Sequence, residues 1–385
     1  MPDTDPRTEN TIPDDTVVPR AALAVASDAT GEALREAWRS GALGHVDGET
    51  GAGTADVRAA VTGVGESFVA WRLTPSSGPE LVVRIPWRPL DDLAQPIGDE
   101  FPALAHVPPG VGPQPVRLVS DPAETPVGRP LIVTTYQPGR VLAPAQWSPA
   151  HLLAHARRVA ELHAPVFDGR GKLAPGGPGT PEEARHLVRG PMSMLAEVDG
   201  AFGWWRANHP EVTDTPLAAR LMDAARAECE RAEATGAFAR LTSFTLAHGD
   251  LCATNVVWED AGTGPDAAGP TCHDIDFEWA QADDPARDVA IIGGAVHGGP
   301  WYVPMDEDAV AAFCDEYVRE SRRLRPDAPL DARDLRIRRD AWEAYERTAM
   351  LLHSTRRAAE GDPEHAAVLP GLRERLARRL GVALG

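Results

Sequence analysis

Residues 246–260 read LAHGDLCATNVVWED: an apolar run breaks into a histidine, a glycine and an aspartate, and an asparagine follows five positions after the aspartate. The preceding FTLA (244–247) has the texture of a strand, so His248, Gly249 and Asp250 fall on a turn at its end. A glycine there admits a backbone conformation, or a close approach, that a side chain forbids. Downstream, NVVWE (255–259) and TCHDIDF (271–277) read as two strands around the flexible connector AGTGPDAAGP. With the connector centred between 265 and 266, Asn255 opposes Asp276, and alternation puts Asn255, Asp274 and Asp276 on one face. Such a cluster of hard oxygen donors suits magnesium, completed by water and a substrate phosphate. Asp250 then has the placement of a base that accepts a hydroxyl proton while the metal neutralises a phosphoryl group in transfer. His248 reads as an anchor of that loop rather than a reactant. Neither HGD nor a D-x-D pair means much alone; their joint spacing carries the reading.

The rest of the composition narrows the class. The chain has 385 residues, 43% of them hydrophobic, with no apolar run near the roughly 20 residues of a membrane span. A soluble protein with no membrane partner is expected, as one large two-lobed unit or two domains. The opening MPDTDPRTENTIPDDT has neither a basic n-region nor an apolar h-region, which points to a cytoplasmic protein with a disordered acidic tail over residues 1–20. Cys229, Cys252, Cys272 and Cys314 lie far apart with no CxxC spacing, so neither a zinc site nor a disulfide framework is indicated. A net charge of −19 argues against a nucleic-acid partner and is compatible with a cationic small substrate, although a dispersed acidic excess is ordinarily a solubility feature. Lys172 is the only lysine, so a phosphate clamp anywhere else must be arginine.

Along the chain, residues 21–44 contain a helical segment with Ala33, Leu34 and Trp38 on one stripe. VRAAVTGVGESFVAWRLTP (57–75) and PELVVRIPW (79–87) read as strands, with a glycine-containing turn at 63–65. A short helix around Ile97–His106 and strands at 116–120 and 129–139 complete a small β-rich lobe over 21–138. From 139 to 385 helices dominate: 148–165, with Ser148 as N-cap and Pro149 at the first position, then 183–198, 215–236, 306–322 and 331–360.

Together, HGDLCATN, DIDFEWA and DDPARDVA resemble the HGDxxxxN, IDF and DPxxDxA motifs of the aminoglycoside phosphotransferase family, the protein-kinase-like small-molecule kinases that include macrolide phosphotransferases. The resemblance covers roughly residues 55–360 and implies an α+β, protein-kinase-like fold of two lobes with a hinge near 136–140. It implies Asp250 as catalytic base, Asn255 and Asp276 as Mg2+ ligands, and Asp288 as a structural, helix-associated aspartate. In the N-lobe, GVGESF resembles the loop over the nucleotide phosphates, giving Gly63, Gly65 and Ser67 as nucleotide contacts. LVVRIP resembles the strand that carries the phosphate-contacting residue, with Arg84 in place of the usual lysine and Glu100 as its partner. A guanidinium can hold phosphate oxygens bidentately. VTTYQPG resembles the hinge, so the backbone of Thr135 and Tyr136 would meet the base of ATP or GTP. The expected activity is phosphorylation of a hydroxyl on a small molecule, an antibiotic of the aminoglycoside or macrolide kind; a metabolic kinase for choline, a sugar or an amino-acid alcohol, and a non-catalytic pseudokinase, are the alternatives. The acidic MDEDAVAAFCDEY (305–317) could serve a polycation or be a solvated helix face, and Trp204 and Trp205 could wall a pocket or fill a core. The acceptor and the oligomeric state are not legible.

Overall fold

Alternating burial along Phe68–Pro75, with Val69, Trp71, Leu73 and Pro75 turned inward, sets the first layer of the fold. The computed structural model describes residues 19–44, 56–174, 187–259, 269–327 and 330–384, so nearly all of the expected acidic tail, and most of the connector at 261–270, lie outside the described residues. The chain divides into two compact units: Met1–Pro109 with Pro113–Gln137 and Ala174–Pro178, and Gly110–Gly112 with Pro138–Leu173 and Gly179–Gly385.

In the first unit, β1 (Val57–Val64), β2 (Phe68–Pro75), β3 (Leu81–Pro86), β4 (Pro115–Val119) and β5 (Leu131–Thr135) form one antiparallel sheet in the order β1-β2-β3-β5-β4. Leu81, Val83 and Ile85 repeat the alternation on β3. One face is covered by α1 (Arg20–Val25) and α2 (Asp28–Arg39), which bury Ala22, Val25, Leu34, Ala37 and Trp38 in a shared core with Trp71. Val25 and Leu34 each contribute about 1.5–3 kcal/mol on full burial. Trp71 also donates its indole N–H to the Val25 carbonyl (3.3 Å). The short α3 (Glu100–Leu104) falls within the expected segment.

In the second unit, α4 (Pro149–Leu162) starts on Ser148, whose hydroxyl accepts from the His151 N–H. Two small antiparallel sheets follow, β10 (Cys272–Asp274), β9 (Val256–Trp258) and β6 (Arg140–Val141), and β11 (Gln281–Asp283), β8 (Phe244–Ala247) and β7 (Val166–Phe167). They sit among α5 (Met194–Asn208), α6 (Pro210–Thr213), α7 (Pro216–Ala234), α8 (Pro285–Ile291), α9 (Glu307–Leu324), α10 (Ala332–Ala359) and α11 (Pro363–Leu380). Phe202, Phe244, Phe313, Tyr317 and Trp342 are buried in the main core.

Two helices differ from the sequence expectation. The helix expected over 183–198 begins at Met194 and runs on to Asn208; Gly190, at φ +110°, and Pro191 interrupt the chain, and Ser193 caps the new start by accepting from the Ala196 N–H (3.2 Å). The described part of the earlier span, 187–193, is not helical. The last helix, α11, was not among those expected; Pro370 lies inside it, and Leu372, Leu376 and Ala377 pack it against α10 and α7.

Candidate active site

Strand β8 delivers the HGD turn, and the turn is held from behind by α8. Asp284 caps that helix, accepting from the Ala286 N–H (3.0 Å), and is itself fixed by Arg338 and by the Trp342 indole (2.9 Å). One turn on, buried Asp288 accepts the backbone N–H of His248 (2.6 Å) and of Gly249 (2.9 Å). Its Oδ2 also meets His163 Nε2 (3.1 Å), while His163 Nδ1 lies 2.8 Å from the Tyr317 hydroxyl. Burial pushes the Asp288 carboxyl up, but these hydrogen bonds and the two nearby imidazoles hold it below its ordinary value. His248 is an anchor within the loop: Nδ1 accepts from the Asp250 N–H (3.3 Å), leaving Nε2 to donate to the Ile275 carbonyl (2.8 Å). Gly249 sits at φ +80°, where a Cβ would stand 2.7 Å from the Trp279 carbonyl, so both backbone and space require glycine.

Asp250 is half-buried at the end of this turn. Residues 253–255 form one turn of 3-10 helix, tethered by the Ala253 N–H donating to the Trp301 carbonyl (2.7 Å). This turn aims Asn255 back at Asp250: Nδ2 donates to the Asp250 carbonyl (2.8 Å) and to its Oδ2 (3.1 Å). Burial, reinforced by the negative charges of Asp276 and Glu346 and opposed by His248 and Asn255, pushes the Asp250 carboxyl up to about 7. That is the range in which a carboxylate can take and return a proton near neutral pH.

The expected hairpin register is corrected. Val256 pairs with Asp274, not with Ile275, and Asn255 accepts the Ile275 N–H at 2.9 Å. Strand β10 ends at Asp274, so alternation does not carry on to Asp276, which turns at φ +67°. A one-residue slip reverses the face of every strand side chain. Asp274 consequently does not join Asn255 and Asp276: it is buried beside His155 (3.5 Å) in the core. Asp276 remains near enough to raise Asp250, and does so from the left-handed turn rather than from a strand.

The donors at this place fit a hard cation. Asn255 spends Nδ2 on Asp250, so its Oδ1 makes no hydrogen bond among the described residues, and the like charges of Asp250 and Asp276 are what a divalent ion relieves. No group of three or more His, Cys, Asp or Glu that could hold a metal occurs among the described residues. The Asp276 carboxylate and the Asn255 amide oxygen leave coordination to be filled by water or substrate, as magnesium prefers.

The residues expected to bind nucleotide lie in the first unit. Gly63 follows a break in the β1–β2 register, and Gly65 donates its N–H to the Phe68 carbonyl (2.8 Å). A Cβ on Gly63 would meet nothing within 4 Å and one on Gly65 only the Phe68 carbonyl at 3.7 Å. Nothing in the chain itself demands glycine at either position. The turn is braced by two residues the sequence reading passed over, Trp87, whose indole donates to Gly65 (3.0 Å), and Arg88, whose Nε donates to the Glu66 carbonyl (2.7 Å). Ser67 is buried and accepts the Trp87 N–H. Arg84 pairs with Glu100, and its guanidinium lies 4.5 Å over the Phe68 ring. Thr135 donates its N–H to Gln114 and Tyr136 to Glu80 (3.0 Å each), so these backbone donors are spent in the sheet and only carbonyls could meet a base.

In the 305–317 segment Asp306 accepts the Ala309 N–H at the start of α9 (2.9 Å), Glu307 pairs with Arg336, and Glu316 pairs with Arg157 and Arg319, the ion pairs each at 2.6 Å. Trp205 packs against the core, whereas Trp204 is 54% exposed. No described helix is long and apolar enough to cross a membrane.

Residues 60–327, well over half of the chain, match the model of the phosphotransferase enzyme family, APH. The chain belongs to that family. As a member of it, the protein is an enzyme of the small-molecule phosphotransferase type. Its fold agrees with that of a provisionally assigned aminoglycoside phosphotransferase from Ralstonia eutropha JMP134, at 17% identity and a TM-score of 0.57, covering 91% of this chain and 97% of that one. It is also similar to an ethanolamine kinase of Plasmodium vivax, at 13% identity and a TM-score of 0.52, over 84% of this chain and 81% of that one. No curated protein matches the sequence. The α+β kinase-like architecture of the APH fold is thus established for this chain.

Proposed function

We propose that the protein is a magnesium- and nucleotide-dependent O-phosphotransferase that phosphorylates a hydroxyl of a small molecule, an antibiotic of the aminoglycoside or macrolide kind. The observation that carries this reading is the joining of Asn255 to Asp250 by two hydrogen bonds on a loop anchored by Asp288. Asp250 orients the acceptor hydroxyl and takes its proton onto a carboxylate whose burial has raised its affinity for one. Asn255 fixes the rotamer of that carboxylate, and His248 holds the backbone beneath it. Asn255 and Asp276 would hold the magnesium ion, which when bound supplies neutralisation of phosphate charge. Arg84, kept in place by Glu100 and Phe68, grips donor phosphate oxygens. The open space at Gly63 and Gly65 leaves room for phosphates to approach the backbone.

Release of ADP or GDP is to be followed with magnesium, each nucleotide and a panel of aminoglycosides, macrolides, choline, sugars and amino-acid alcohols. Stimulation by an antibiotic class supports the reading. Stimulation by a metabolic alcohol alone would replace it with a metabolic kinase, and tight nucleotide binding with no stimulation by any acceptor would favour a binding role.

A further inference from the structure

The second unit holds a cavity of about 880 Å³ whose lining includes none of His248, Asp250, Asn255, Asp276 or Asp288. Its wall includes Thr245 of β8, Arg325 just beyond α9 and Arg338 of α10, with the exposed Thr242 and Arg333 nearby. Three polar groups on this wall are unspent. Arg338, only 2% exposed, directs Nε to the Asp284 carboxylate (3.1 Å to each oxygen) and Nη1 to the Ala237 carbonyl (3.3 Å), leaving Nη2 without an acceptor among the described residues. Thr245 Oγ1, on a residue 1% exposed, and Arg325 Nε likewise make no hydrogen bond among the described residues.

Buried polar groups are seldom left unpaired, and a guanidinium offers donors only, so the complementary occupant is an acceptor. The acids of the same wall are mostly committed. Asp334 accepts from Arg240 (2.6 and 2.7 Å), Asp331 accepts the Asp334 N–H (2.8 Å), and Asp327 is exposed. A pure acceptor that carries negative charge therefore fits better than water, which must also place its own protons.

We propose that this cavity binds a small oxyanion, the phosphate or carboxylate group of a soluble ligand, on Arg338 and Arg325 with the Thr245 hydroxyl. The place of the site gives it a hold on catalysis. Thr245 lies on the strand that ends at His248, and Arg338 fixes Asp284, the cap of the helix whose Asp288 holds the His248 and Gly249 N–H groups. An anion on Nη2 shares the guanidinium whose Nε holds Asp284, so its binding is coupled to the helix that supports the loop.

Titration calorimetry on the full chain, with the nucleotide site filled by ADP, tests this with inorganic phosphate and with acetate as probes. The variants are Thr245→Val, which removes a hydroxyl no described protein group uses, and Arg325→Gln; circular dichroism and melting check their folds. Saturable binding of either probe is expected, weakened about tenfold by Arg325→Gln, the loss of one hydrogen bond to a charged group, and severalfold by Thr245→Val, with the nucleotide KM unchanged. Which probe binds assigns the phosphate or the carboxylate class. No saturable binding of either probe, or equal binding in both variants and the parent, would overturn the site and leave a water-filled cavity.

Discussion

Asn255 holds Asp250 by two hydrogen bonds from one amide nitrogen, to the main-chain carbonyl at 2.8 Å and to the carboxylate at 3.1 Å. The first sets the backbone of the loop and the second the rotamer of the carboxylate, so one side chain fixes both the position and the aim of the base. Asn255→Asp keeps an oxygen ligand but removes both donors and adds a third carboxylate. The Asp250 carboxyl, pushed up to about 7 in the metal-free protein, is expected to titrate at still higher pH in this variant, as read from the pH dependence of the melting temperature without metal. A pH profile of this variant that overlays the parent's would contradict the role given to Asn255.

The same carboxylate costs the fold stability. Asp250 has its affinity for a proton raised from 3.8 to about 7, first by burial. A group raised in the folded state contributes stability below its unfolded value, and that contribution is lost as pH rises through the folded value. Asp250→Asn is therefore expected to melt higher than the parent at pH 8 without metal, with the gain shrinking as pH falls from 7 towards 4. A gain that does not depend on pH would show that the carboxylate is not held in this state.

Asp288 behaves in the opposite sense. Its carboxyl is held below the ordinary value, so its contribution is present above pH 3.8 and lost as pH falls through the lower, folded value. Asp288→Ala leaves the buried N–H groups of His248 and Gly249 without acceptors, at about 1–3 kcal/mol each. Chemical denaturation at pH 7 should register a loss of about that sum, together with a collapse of turnover. A stability within error of the parent's would remove Asp288 from the loop's support.

Two glycines should respond differently. Gly249→Ala meets the Trp279 carbonyl in a left-handed backbone, a strain of about 1–3 kcal/mol, and should lower both melting temperature and kcat. Gly63→Ala meets nothing in the chain and should leave the melting temperature unchanged or slightly raised while raising the nucleotide KM. A nucleotide KM unchanged in Gly63→Ala would mean that the open space at Gly63 is not kept for the nucleotide.

Arg84→Lys keeps the charge but loses the fork and the stacking on Phe68. The nucleotide KM is expected to rise about tenfold, the worth of one charged hydrogen bond. Glu100→Gln should raise it less and leave the acceptor KM alone. An unchanged nucleotide KM in Arg84→Lys would place the phosphate grip elsewhere.

The meeting of Asp250 and Asn255 was legible because its parts are local: the spacing of His248, Gly249, Asp250 and Asn255 lies within one strand end and one turn, and the two residues that meet are five positions apart. What failed was the long-range geometry. The register between β9 and β10 depends on a connector whose length does not state where the turn is centred, and one residue of slip moved Asp274 from the expected ligand face into the core beside His155. Support from a distance left little trace either. Trp87 and Arg88 brace the 65–68 turn from another strand end, and His163 reaches Asp288 from α4's end with the Tyr317 hydroxyl of α9 behind it. The helix α11 was hidden because Pro370-Gly371 signals a turn locally, whereas burial of Leu372 and Leu376 decides otherwise.

The most direct test is acceptor-stimulated nucleotide turnover with magnesium in the parent and in Asp250→Asn, with nucleotide affinity measured alongside. Loss of about 10²–10⁴-fold in kcat, the usual worth of a positioned base, with nucleotide affinity kept, is the predicted result. Turnover within a few-fold of the parent's would show that Asp250 is not the residue that takes the proton, and the assignment of this loop as the catalytic centre would fall.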